Sequence, residues 1–224
     1  MIIILNFSKN TELVPFTTQE KVNTYIHDLL GRNNKYHDTF SEYAISSLQG
    51  SVSTSEGLNF PNGGKIFIST DDMEFLNLLF TNINKEEFKD LGWGMKFINS
   101  EFKDFNVNDY CDKVQTICPI LLNDSTTKKS ITFNDEQFIE ELEKNCRKKL
   151  SHYFDDKKLS TFKIEINKVE NAKVKKILVH NVLNICSSIR LRVVGDKEVR
   201  KKLYTLGFGK STGCGFGSVK ILTR

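Results

Sequence analysis

Apolar positions divide the chain into short ordered segments. The run over 1–7, with Ile2, Ile3, Ile4, Leu5 and Phe7, reads as a buried strand, and Val22, Tyr25, Ile26, Leu29 and Leu30 recur at helical spacing within 17–30. Strand-like segments follow over 42–48 and 65–69, then a helix over 71–83 and a strand over 96–102. Thr17 or Thr18 is placed to cap the first helix, and Thr70 with Asp71 the second. The order strand, helix, strand, strand, helix, strand is that of a ferredoxin-like unit.

Beyond it, residues 114–122 are an apolar run broken by Pro119, and the polar stretch 123–130 reads as a linker. Phe138, Leu142, Cys146 and Leu150 lie four apart, predicting an amphipathic helix over 134–154. Strand-like alternation covers 162–169, 174–183 and 186–194, followed by a helix over 197–206 and a last strand over 218–222. The economical reading is an α+β protein of two tandem ferredoxin-like (RRM-like) domains, 1–123 and 124–224, with a glycine-rich loop near the C-terminal end. A chain of 224 residues suffices for two such cores.

Charge separates the two halves. Residues 1–123 hold 10 Lys and Arg against 16 Asp and Glu, whereas 124–224 hold 22 against 12. A basic half beside an acidic one indicates a polyanionic partner more than a small neutral substrate. No apolar run approaches the roughly 18 residues of a membrane span, and the first residues lack a basic region and a cleavage site, so a soluble cytoplasmic protein without a membrane partner is expected. The five cysteines are widely spaced and contain no C-x-x-C pair, which fits reduced thiols and offers no zinc spacing.

Five of the thirteen glycines, Gly207, Gly209, Gly213, Gly215 and Gly217, fall within eleven residues and surround Lys210. Such a loop can present main-chain N–H groups to a phosphate. Two nucleotide-cofactor loops fail by counting. A P-loop needs glycine where Tyr204 stands, and the dinucleotide fingerprint needs glycine at Thr212; in both, a helix should follow where a strand-like run does. The RRM signature is also missing.

Glycine, large apolar residue, glycine, polar linker, then Gly215-Phe216-Gly217, between a basic helix and a final strand, resembles the C-terminal loop of the CRISPR-associated RAMP superfamily, and within it the Cas6 family of precursor-RNA endoribonucleases. Val14-Pro15-Phe16 before the first helix, Tyr36-His37-Asp38 after it and Gly64-Lys65-Ile66-Phe67-Ile68 are similar to the family's opening strands and helices. The resemblance implies a metal-independent endoribonuclease without a cofactor, cutting CRISPR repeat RNA by attack of a ribose 2′-hydroxyl. It also admits subunits of a CRISPR effector complex and a second copy of the chain as partners. The rival reading is a catalytically silent RAMP subunit that binds guide RNA.

The same resemblance assigns residues. His37 falls at the place of the family's catalytic histidine, and His27 where members carry a catalytic tyrosine or a second histidine. Imidazole suits such work because its ordinary pKa of ~6.5 keeps both protonation forms available near neutrality. Where many members place a lysine after the histidine, Thr39, Phe40, Ser41 and Glu42 supply none, so Lys35 or Arg32 is left to stabilise the phosphorane. Gly207, Gly209, Lys210, Gly213, Gly215 and Gly217, with Arg200, Lys201 and Lys202 on the preceding helix, are the expected RNA contacts, and Lys173, Lys175 and Lys176 mark a basic hairpin. His152 and His180 read as structural or RNA-facing, and no carboxylate cluster has metal-site spacing.

Overall fold

The structure is a computed structural model that describes residues 1–224 apart from 32–33, 37–39, 125, 180 and 223–224, and apart from the side chains of 168–170. The first unit runs β1 (Ile2–Phe7), α1 (Gln19–Leu30), β2 (Tyr43–Ile45), the small hairpin β3 (Val52–Ser53) and β4 (Leu58–Asn59), β5 (Gly64–Thr70), α2 (Met73–Ile83), β6 (Asp90–Gly92) and β7 (Met95–Lys103). The second runs β8 (Cys111–Thr116), α3 (Phe138–Leu150), α4 (Asp156–Leu159), β9 (Lys163–Val179), β10 (Val182–Val194), α5 (Lys197–Leu206) and β11 (Val219–Ile221).

Two antiparallel sheets result, ordered β2-β5-β1-β7-β6 and β11-β8-β10-β9. With β6 set aside, both follow one rule: the first and third strands of the unit lie centrally, and the fourth and second flank them. This is the ferredoxin-like topology twice over. Each sheet buries one face under its two helices. Ile3, Leu5, Ile66 and Ile68 meet Val22, Ile26, Phe75 and Leu79 in the first core, and Val114, Leu191 and Val193 meet Phe138, Leu142, Val199 and Leu203 in the second.

Several details depart from the sequence reading. The second domain begins at β8, which pairs with β10 and β11, so the boundary lies before Cys111 and not at 123/124. The shift transfers only Asp112 and Lys113 as charged residues, leaving the charge division intact. β9 is one 17-residue strand where two were expected, its pairing with β10 interrupted by a register shift between Ser188 and Leu191. Asp72, not Thr70 or Asp71, caps α2 by accepting from the N–H groups of Glu74 and Phe75, and Thr18 makes no side-chain cap at α1.

The units are joined by direct bonds. α5 packs against β2 and β5, and the Ser69 hydroxyl donates to the Thr205 carbonyl at 3.0 Å. Lys202 reaches both oxygens of Asp71 at 2.8 Å while its ammonium lies 3.8 Å from the Tyr153 ring centroid. The Tyr153 hydroxyl donates in turn to Glu42 at 2.5 Å.

Candidate nucleic-acid cleft and active site

Where the units meet, a cleft of about 690 Å³ opens between the end of α1, the segment before β2, the last turns of α3 and the glycine loop. Its position follows from local folding. The loop makes a short 3-10 turn over Thr212–Cys214, and that turn is tied to the first domain. The Thr212 hydroxyl donates to the Tyr43 carbonyl at 3.1 Å and the Asn23 amide to the Cys214 carbonyl at 3.4 Å. Lys210 is held from the other side, its N–H on the Leu121 carbonyl at 2.8 Å and its ammonium on the Asn123 carbonyl at 3.2 Å.

The glycines are required by close packing inside the protein. At Gly217 φ is +66°, and a Cβ would lie 1.8 Å from the Phe208 carbonyl oxygen; at Gly215 φ is +90°, and a Cβ would meet the Gln19 amide at 2.1 Å. Gly207, at the end of α5, faces Ala44 and Thr212. Of the glycines expected to contact RNA, Gly209 and Gly213 line the cleft together with Lys210. Gly215 borders a second depression beside Phe16, Pro119 and Leu183, whereas Gly207 and Gly217 line neither.

His27 stands in the last turn of α1, half-buried, and lines the cleft. Its helix explains this: the stripe from Val22 to Leu29 is turned into the core, leaving Asn23, Thr24, His27 and Asp28 toward the cleft. His37, the other expected catalytic histidine, lies outside the described residues. Lys35 does not line the cleft. Its ammonium is bonded to Glu74 and lies 4.0 Å from Asp72, at the start of α2, so the role expected for it at the phosphorane has no support in its placement.

Two of the basic residues on α5 also need correction. Arg200 is fully buried. Its guanidinium pairs with Asp112 and donates to the carbonyls of Asn108 and Gly195, so it is a structural ion pair and no contact for RNA. Lys202 is engaged with Asp71 and Tyr153 between the domains. Lys201 is exposed but does not line the cleft.

Sequence reasoning missed what α3 contributes. Asn145, Lys148 and Lys149, spaced i, i+3 and i+4, line the cleft, together with His152 just beyond the helix, which the sequence left as structural or RNA-facing. His152 lies with its ring 5.0 Å from that of Phe40, an exposed aromatic pair at the cleft on which a base could stack. Lys149 is buried and donates to the Gly207 carbonyl at 3.2 Å, and burial lowers its pKa to about 8. The available signal was its register: Lys149 is three residues after Cys146 and next to Leu150, on the edge of the stripe that fills the core.

A profile of the family described as CRISPR associated protein Cas6, C-terminal, matches residues 99–221. The chain is 23% identical over 187 residues to the CRISPR-associated endoribonuclease Cas6 1 of Methanocaldococcus jannaschii, an alignment covering 80% of this chain and 72% of that protein. Among experimental structures, one described as an RAMP protein binding different RNA substrates superposes with a TM-score of 0.82 at 17% identity over the whole of both chains. A Cas6-related protein from Pyrococcus furiosus gives 0.80 at 22% identity, covering 100% of this chain and 99% of that one. These structural likenesses establish the double ferredoxin-like fold.

Proposed function

The chain belongs to the Cas6 family of CRISPR-associated proteins, and from that premise we propose that it is an endoribonuclease that cuts CRISPR precursor RNA within its repeats without a metal ion. The observation that carries this reading is His27 on the wall of a cleft bounded by the glycine loop and three cationic side chains, Lys148, Lys149 and Lys210. An imidazole and cations around one space are what RNA transesterification needs. A base takes the proton from the ribose 2′-hydroxyl, the 2′-oxygen bonds to phosphorus, and the bond from phosphorus to the 5′-oxygen breaks. An acid returns a proton to the departing oxygen. The products are a 2′,3′-cyclic phosphate and a 5′-hydroxyl.

In this scheme His27 carries one proton transfer and His37, by its place in the sequence, the other. The cleft lysines and the backbone at Gly209 and Gly213 face the phosphates, and Phe40 with His152 offers a surface for an unpaired base. The test is His27→Ala in single-turnover cleavage of the repeat RNA. The rate should fall by about 10² to 10⁴ while the affinity for RNA stays near wild type. An unchanged rate removes His27 from the chemistry. Absence of cleavage by the wild-type chain would favour the silent guide-RNA-binding subunit.

A further inference from the structure

We propose that Lys149 supplies the cation that grips the reacting phosphate, so that this charge comes from the basic domain and not from Lys35 after the first helix. The proposal rests on the RNA-cleaving reading above. Its first support is the state of the ammonium. Lys149 is only 8% exposed, yet among the described residues its charge meets no carboxylate, and its hydrogen-bond partner is the Gly207 carbonyl at 3.2 Å. Arg200, also buried, is closed off by Asp112 and two carbonyls. Buried charges are ordinarily paired or neutralised, so a lysine with unused donors beside a cleft is arranged for an anion that arrives from outside.

Its second support is the surroundings. Among the described residues Lys149 shares the cleft with His27 of α1, Lys148 of α3, His152 just after α3, and Lys210 of the loop, and the carboxylate lining it, Asp28, forms no ion pair with Lys149. Behind it stands the Cys146 thiol, which burial pushes up to about 11 and so keeps neutral. Burial holds Lys149 at about 8, and a phosphate oxygen alongside would restore the full charge.

The ammonium exchanges no proton in the reaction. As the bond from the 2′-oxygen to phosphorus forms and the bond to the 5′-oxygen breaks, negative charge gathers on the non-bridging oxygens, and Lys149 holds one of them. The bond to Gly207 fixes the ammonium relative to the loop whose Gly209 and Gly213 line the same cleft.

The experiment uses the full chain and a synthetic RNA carrying the CRISPR repeat of the source genome, unmodified or with one phosphorothioate of defined stereochemistry at the scissile phosphate. Wild type should cut one diastereomer more slowly than the other. Lys149→Met should lose about 10² to 10³ in single-turnover rate on unmodified RNA and cut both diastereomers alike, and Lys149→Arg should recover part of the rate and the preference. A Met variant at wild-type rate, or one that is slow but keeps the wild-type preference, would overturn the proposal and leave Lys149 as a brace for the loop.

A second readout separates this from the parent reading. The ε-carbon resonance of Lys149 in the wild-type chain, titrated with and without repeat RNA made 2′-deoxy at the cut site, should report a pKa rising from near 8 toward the ordinary lysine value when RNA binds. If no repeat is cleaved yet this shift occurs, the cleavage reading fails and phosphate binding by Lys149 stands. If the pKa does not move, the proposal fails.

Discussion

Lys149 and Arg200 are both buried cations of the basic domain, and their surroundings set them opposite tasks. Arg200, matched by Asp112, is part of the framework, and the same carboxylate also receives the hydroxyl of Tyr204 at 3.2 Å. Among the described residues Lys149 meets a carbonyl alone, so folding bears the cost of its desolvation. This fixes a pH dependence. Below about pH 8 both folded and unfolded chains carry the proton, and the folded state bears the full cost. Between about 8 and the ordinary 10.5 the folded state releases the proton first, so this group's contribution to stability rises with pH. Without RNA, Lys149→Met should therefore be more stable than wild type at pH 7, by roughly 1 to 3 kcal/mol. The advantage should shrink as pH passes from 8 to 10, measured by urea denaturation of both proteins across that range. A pH-independent difference would contradict the assigned cost. Neither task was legible in the sequence, where Arg200 stood in a basic cluster and Lys149 in a run of three charges. Partners 88 and 58 residues away decide between them.

At the scale of elements, β1, α1, β5, α2, α5 and β11 were legible because their apolar positions are dense and regular. β8 was not. Its inward positions are Asp112, Val114 and Thr116, and an aspartate buried against Arg200, Tyr204 and Asn108 carries no apolar signal. β9 read as two strands because 170–173 holds three polar residues and only Ala172 between the two alternating stretches, and the register shift against β10 falls nearby. The result is a hairpin pairing from Lys163–Val194 out to Val179–Val182, whose outer part exposes Lys173, Lys175 and Lys176 together with Val174, Leu178, Val182 and Leu183. Leu178 and Leu183 border the second depression, which Gly215 also lines. We expect RNA to run from the cleft toward this arm. Changing the three lysines to glutamate should weaken RNA binding and lower the slope of log affinity against log salt by up to about one unit for each phosphate that is no longer neutralised. Anisotropy titrations over a salt series measure it, and an unchanged slope would place the arm off the RNA path.

Across the whole molecule, the acidic domain brings His27 and the basic domain brings Lys148, Lys149, His152, Lys210 and the loop, so the cleft exists only where the two are docked. Lys202 with Asp71, Tyr153 with Glu42 and Ser69 with Thr205 hold that docking. The glycine loop's importance was legible from its spacing, but its reason was not. Its glycines serve close approaches to Phe208, Leu121 and Gln19, residues that only the fold brings near. The central claim is that this interdomain cleft cleaves RNA through the neighbouring hydroxyl. The most direct measurement is incubation of the pure chain in EDTA with its CRISPR repeat RNA, beside the same RNA carrying one 2′-deoxy nucleotide at the cut site. The account predicts a single cut in the unmodified RNA, with a 2′,3′-cyclic phosphate and a 5′-hydroxyl, and no cut in the deoxy substrate. Efficient cleavage of the deoxy substrate, or cleavage that EDTA abolishes, would contradict it.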